Sequence, residues 1–186
     1  MAFWTSAASE PKRQHRFLID FPLLVSADGK HQYKKYLART FTKPSFTISE
    51  TPHKFLGNTY HYPGTVTWEP CSATLVNSVD PDGNRILMDA LIESGYLLPP
   101  SQDDAVNRGG APGTVNKAAA LGTLGEVQVD ELDGKGDLVG RWKLHNAFLT
   151  SAKFGDLDYG GDELLNIDIG IRYDWATYVS HVVPAL

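Results

Sequence analysis

The sequence predicts a mainly β protein, an antiparallel β-sandwich or barrel with one flanking α-helix. Three observations carry this. Leu165, Ile167, Ile169, Ile171 and Tyr173 alternate with Asn166, Asp168, Gly170 and Arg172, the period of two that buries one face of a strand and wets the other. Residues 126–132 and 138–148 alternate in the same way on either side of Asp133-Gly134-Lys135-Gly136, which predicts a hairpin. Helical spacing is clearest in one stretch, where Ile86, Leu87, Ala90 and Leu91 oppose Arg85, Asp89 and Glu93.

Taken in order, residues 1–14 are small and polar around Pro11, Lys12 and Arg13 and are expected to form a flexible N-terminal arm. Phe3 and Trp4 gain little there unless a partner covers them. Residues 16–22 read as a first strand ended by Pro22, with a turn at 27–30. The strand pattern returns over residues 36–51, with Phe46 and Ile48 opposite Ser45, Thr47 and Ser49. Residues 53–58 form a hairpin tip in which Gly57-Asn58 supplies the turn, and residues 59–68 return. Pro63-Gly64 inside the return strand predicts a bulge or an edge. Residues 72–76 are a further short strand.

Asp80-Pro81-Asp82-Gly83 starts a helix over residues 83–94 and Gly95 stops it; this is expected to be the only long helix. Residues 99–125 are rich in Gly, Ala, Asn and Asp, with room for a helical turn at 116–121. So long a loop is uncommon in a compact domain, and it is read as an assembly loop that orders against another copy or a different protein; disorder in the free subunit is the alternative. In the following hairpin Glu126, Gln128 and Asp130 lie across from Arg141, Lys143 and His145, giving opposite-charge pairs worth ~0.2 to 1 kcal/mol each. Val127, Val129, Trp142, Leu144 and Phe148 form the other face, on which Asn146 needs a hydrogen-bond partner if buried. Residues 141–148 and 165–173 are the two clearest strands, with a structured loop at 154–162 between them.

A chain of 186 residues suits a single domain spanning 1–186. Its 42% hydrophobic and 21% charged content argue against disorder or a coiled coil. The net charge of −5 argues against a protein that grips nucleic acid through a basic surface. Cys71 is the one cysteine, which excludes an internal disulfide and reads as a small buried thiol. No apolar run approaches the ~20 residues that span a bilayer, and the N-terminus lacks a basic segment followed by an apolar core, so cytoplasmic synthesis is expected.

Catalytic chemistry is not expected. The six histidines, at 15, 31, 53, 61, 145 and 181, show no zinc-ligand spacing. There is no nucleophile elbow, phosphate loop or dinucleotide fingerprint. Asp156, Asp158, Asp162 and Glu163 lack the spacing of a calcium loop and read as a solvated turn, with a weak cation site as the alternative. No cofactor or metal follows from the sequence.

Trp142, Asn146-Ala147, Asp156-Leu157-Asp158-Tyr159 and the strand from Ile167 to Trp175, preceded by Lys43-Pro44-Ser45-Phe46, Tyr62-Pro63-Gly64 and Trp68, occur in an order that resembles the tail tube proteins of contractile bacteriophages. These are related to the hemolysin-coregulated tube proteins of type VI secretion. The resemblance runs from about residue 39 to 178 with a dissimilar insert. It implies that six copies form a ring, that inner sheets join edge to edge around a lumen, and that rings stack into a hollow tube conducting viral DNA. The implied partners are other copies, the sheath protein, a baseplate or tube initiator, and the tape measure protein and DNA in the lumen, with no membrane insertion. The implied location is the virion, after assembly in the host cytoplasm.

On this reading Ser45, Thr47, Ser49, Glu126, Gln128 and Asp130 include lumen-facing positions. A neutral or acidic wall lets DNA slide, so Arg141 and Lys143 oppose the idea unless neighbouring acids neutralise them. Phe3, Trp4, Phe55, Leu56, Tyr60 and Tyr62 are candidates for contacts between subunits or rings. Two alternatives stand beside this reading: an inner tube of a secretion system or tailocin built on the same ring, and a monomeric ligand-binding β-barrel with an apolar cavity.

Overall fold

A computed structural model describes residues 11–26, 29, 32–99 and 113–181. Their strands are β1 (Phe17–Asp20), β2 (Ala38–Phe41), β3 (Phe46–Phe55), β4 (Asn58–Trp68), β5 (Cys71–Val76), β6 (Val127–Leu132), β7 (Leu138–His145), β8 (Phe148–Lys153), β9 (Asn166–Arg172) and β10 (Trp175–Ser180). The helices are α1 (Gly83–Glu93) and α2 (Lys117–Leu124). Two four-stranded antiparallel sheets, ordered β1-β6-β7-β10 and β2-β5-β9-β8, face each other, and β3 pairs only with β4.

Alternation builds the core. The first sheet turns Ile19, Val127, Val129, Leu144 and Ala176 inward, and the second turns Cys71, Ala73, Leu75, Ile167, Ile169 and Ile171 to meet them. The space between the sheets is thus filled by side chains. Helix α1 starts as expected: the Asp82 side chain accepts from the Asn84 N–H at 3.0 Å, satisfying one of the orphan donors of the first turn. It buries Ile86, Leu87 and Ala90 and stops where Gly95 adopts φ 106°.

The structure corrects four expectations. The strand expected over 36–51 is broken into a 3₁₀ turn (Lys35–Leu37), β2 and β3, with residues 42–45 between the strands. A second helix, α2, occupies the end of the 99–125 loop, because Asn116 accepts from the Ala119 N–H at 2.9 Å and the Ala-rich run has high helix propensity. The strand expected over 138–148 ends at His145. Asn146 turns the chain at φ 55°, the left-handed region that asparagine tolerates best among non-glycine residues, and β8 continues in the other sheet. Strand β10 was not expected; of its inward parity, Ala176, Tyr178 and Ser180, only Ala176 is buried, so no apolar alternation marks it.

Two of the chain crossings between sheets, β7 to β8 and β9 to β10, are tied together. Asp174, between β9 and β10, accepts from Asn146 Nδ2 at 2.8 Å and from Lys117 Nζ at the start of α2 at 2.8 and 2.9 Å. These donors hold the Asp174 carboxyl below the usual range, Lys117 foremost. Asn146, expected to need a partner if buried, is exposed and has one.

Candidate assembly surfaces

The β3–β4 pair is a ribbon standing apart from both sheets. Its register runs from Phe46 opposite Trp68 to Phe55 opposite Asn58, with Leu56-Gly57 at the tip and Gly57 at φ 81°. It shifts between Ile48 and Glu50, across from Pro63-Gly64, so the predicted bulge is present. A Cβ on Gly64 would lie 2.4 Å from Ser49 Oγ, so the backbones approach closely there. Nearly every ribbon residue is exposed, including Phe46, Ile48, Phe55, Leu56, Tyr60, Tyr62 and Val66. Phe55 and His53 lie across from Asn58 and Tyr60, and His53 meets the Tyr62 ring edge-on at 6.4 Å.

The expected polar track also lies here. Ser45 precedes β3 and its carbonyl accepts from the Glu69 N–H at 2.9 Å. Thr47 faces Thr67, and Ser49 Oγ accepts from the Thr65 N–H at 2.9 Å. Glu126, Gln128 and Asp130 lie elsewhere, on the outward face of the first sheet. The two sets therefore occupy two separate surfaces.

On that outward face the expected cross-strand pairs are present. Arg141 grips Asp130 with two hydrogen bonds of 2.5 and 2.8 Å. Lys143 Nζ lies 2.9 Å from Glu126, and His145 Nδ1 3.6 Å from the other oxygen of that carboxylate. Hydrogen bonding from Lys143 holds Glu126 below its ordinary range. Both cations that threatened to make the face basic are thus held by acids on the neighbouring strand.

A third surface was missed. Val127, Val129 and Glu131 share the inward parity of β6, so a carboxylate sits on the apolar face; that break in alternation was the available signal. Glu131 is 7% exposed, and pairs with Lys12 and, at 2.5 Å, with Lys43. Burial pushes its carboxyl up, but the lysine hydrogen bonds outweigh burial and it titrates below the usual range. The Tyr178 hydroxyl accepts from Lys12 Nζ at 2.7 Å, reaching over Gly140, where a Cβ would lie 2.0 Å from the hydroxyl oxygen. This cluster closes one side of a cavity of about 550 Å³ between β1, β2 and β6.

Phe3 and Trp4 lie outside the described residues. The acidic 154–165 loop is exposed almost throughout, and Asp158 accepts from the Gly160 N–H at 2.9 Å, the side-chain turn expected of it. Among the described residues no group of three His, Cys, Asp or Glu side chains is placed to hold a metal, and no helix is long and apolar enough to cross a membrane.

No protein-family model matches the chain, and no curated protein sequence does. Solved structures do. A chain of an extracellular contractile injection system, the PVC sheath–tube complex in its extended state, superposes with a TM-score of 0.60 at 15% identity, covering 97% of this chain and 99% of that one. A chain of the PVC sheath/tube terminator gives 0.58 at 14% identity over 92% and 98%. A chain of the anti-feeding prophage baseplate gives 0.56 at 17% identity over 92% and 97%. The chain shares its fold with chains of these contractile injection system assemblies.

Proposed function

We propose that this chain is a structural tube subunit, six copies of which form a ring, and that the rings stack into the hollow inner tube of a contractile, phage-tail-like particle. The observation that carries the reading is the β3–β4 ribbon. A two-stranded hairpin is marginal in water by itself, and this one presents large apolar side chains that nothing among the described residues covers. Covered by a neighbour, those side chains become anchors of the kind that dominate interfaces. Phe55, Leu56, Tyr60 and Tyr62 are proposed contacts between copies, and Phe3 and Trp4 of the N-terminal arm are proposed to add to them. The chain is proposed to be one domain, with the 99–125 segment as an assembly loop.

The outward face of β6 and β7 is the proposed lumen wall, with Glu126, Gln128 and Asp130 on it and Ser45, Thr47 and Ser49 as the ribbon's polar contribution. Pairing of Arg141 and Lys143 removes the cations that would hold phosphates by counterion release, which suits a conduit for viral DNA. Sheath protein, baseplate or tube initiator and tape measure protein are the proposed partners in a virion assembled in host cytoplasm. A second reading, an inner tube of a tailocin or secretion-type particle, is favoured by the same-fold chains found in extracellular contractile injection systems. A nearly neutral wall fits protein cargo as well.

Negative-stain electron microscopy with mass photometry over a concentration series tests assembly. Rings or hollow tubes are expected; monomers at every concentration, including with the cognate initiator present, refute it. Nuclease-protected DNA in particles purified from the native source separates the phage tail from the second reading.

A further inference from the structure

The cavity beside Glu131 is lined by Lys12, Arg13, Arg16, Arg39 and Lys43, with Glu131 as the one carboxylate among the described lining side chains. Lys12 and Lys43 share that carboxylate. Arg13 and Arg39 are exposed and form no ion pair among the described residues. In a chain of net charge −5, this is a local excess of positive charge in a concave site, where low-dielectric walls focus the field. Phe17, Phe41 and Leu132 supply apolar wall. Such a site fits an acidic segment that also carries large apolar side chains.

The chain owns one. The 154–165 loop carries Asp156, Asp158, Asp162 and Glu163 with no lysine or arginine among them. Leu157, 88% exposed, and Tyr159 stand out between the acids with no cover. The loop does not occupy its own cleft: it joins β8, one edge of the second sheet, to β9 and stays exposed, and none of its residues lines the cleft, which opens beside β2, the other edge. We infer that the 154–165 loop of a second copy docks in the cleft between β1, β2 and β6. Loop and cleft are different surfaces of the subunit, so a heterologous contact between them repeats from copy to copy and closes when the rotation completes a ring. This rests on the reading of the chain as a self-assembling subunit and names the surfaces that join adjacent copies.

Charge reversal tests it in the full chain. Arg13→Glu/Arg16→Glu/Arg39→Glu gives an acidic cleft beside an acidic loop, and Asp156→Lys/Asp158→Lys/Asp162→Lys gives a basic loop beside a basic cleft. Each variant alone is expected to need on the order of a hundredfold more protein than wild type to assemble, since like charges are set against each other. An equimolar mixture is expected to recover assembly, because each variant's loop now matches the other's cleft and a ring of six accommodates strict alternation. The recovery also shows that both variants fold.

If wild type assembles and both variants assemble at the wild-type concentration, or if the mixture fails to recover, this contact is wrong while the tube reading stands. If wild type stays monomeric throughout, both fall together. Should a labelled oligodeoxynucleotide bind wild type and not Arg13→Glu/Arg16→Glu/Arg39→Glu, with assembly intact in both variants, the cleft serves a nucleic acid and the loop contact is overturned.

Discussion

Removing the rings from the ribbon separates its role in assembly from any role in folding. Phe55, Tyr60 and Tyr62 are 58%, 49% and 58% exposed. With roughly 200 Å² for each fully exposed ring, the three leave about 330 Å² open, worth at most about 8 kcal/mol if a neighbour covered all of it. Association and side-chain ordering offset much of that, so a loss of about 3 to 5 kcal/mol per contact is a reasonable expectation for the triple variant Phe55→Ser/Tyr60→Ser/Tyr62→Ser. This corresponds to a rise of on the order of 10² to 10³ in the concentration that half-assembles the protein. The folded subunit should hardly notice, because these rings touch little beyond the ribbon: the monomer Tm is expected to stay within about 2 °C of wild type. Mass photometry reads the first quantity and circular-dichroism melting under monomeric conditions the second. Assembly at the wild-type concentration would sink the argument. So would a drop in monomer Tm of more than about 5 °C, which would place the rings in the subunit's own core.

Four further outcomes follow from single sites. Gly140→Val sets side-chain carbon against the Tyr178 ring and is expected to destabilise by about 1 to 3 kcal/mol in urea unfolding; an unchanged midpoint would show that Tyr178 swings aside freely. Asn146→Gly should be tolerated at φ 55°, whereas Asn146→Val should cost about 1 to 2 kcal/mol from backbone strain; equal stabilities would refute the strained corner. The Glu131 carboxyl titrates lower in the folded than in the unfolded chain, so its contribution is fully present above the unfolded value of about 4.3 and is lost as pH falls through the lower folded value. Glu131→Gln should therefore flatten the fall of unfolding free energy between pH 5 and 3 (about the carboxylate range), and an identical slope would deny it. Burial pushes the Cys71 thiol up, so a disulfide reagent should label it only on unfolding; rapid labelling of native protein would contradict its burial.

Local signals read well from the sequence, and pairings between distant segments did not. Alternation placed β1, β4 to β7 and β9 within a few residues, and Asp82 and Gly95 marked the ends of α1. The Pro63-Gly64 bulge was legible because it demands a particular backbone, and Gly57 marked the hairpin turn, which lies at Leu56-Gly57 and not at the expected Gly57-Asn58. The β7–β8 break was hidden because Trp142, Leu144 and Phe148 keep the same parity through it; the polar Asn146 was the one residue out of pattern, and it is the corner. That β9 pairs with β5 and β8 and not with β7 depends on contacts far apart in sequence, on which periodicity is silent. The ribbon's apolar side chains, which are exposed, were legible as a run of large residues on a strand pair. The basic cleft was not, since it is assembled from residues 12–16, 39–43 and 129–132, three segments that are unremarkable taken one at a time.

The placement of charge also bears on which surfaces face which partner. On the outward face of β6 and β7 each strong base is held by an acid one strand away, at 2.5 to 2.9 Å. Exposed pairs of this kind add little stability, so folding alone gives weak reason for such matching. A wall along which a polyanion or a protein must slide does give one, because an unpaired cation there would retain the cargo. At the cleft the balance is reversed: one carboxylate meets several cations, leaving positive potential to be met from outside. Assembly through the cleft should therefore weaken as salt rises, as the screening length falls from about 8 Å at 0.15 M to about 3 Å at 1 M. The Arg141–Asp130 and Lys143–Glu126 pairs, each at contact distance within one subunit, should persist. Tubes that dissociate in 1 M salt into folded subunits (about the highest screening considered) would show the two surfaces using charge in these opposite ways. Tubes indifferent to salt would place the whole of the adhesion on the apolar ribbon and leave the cleft without a part in it.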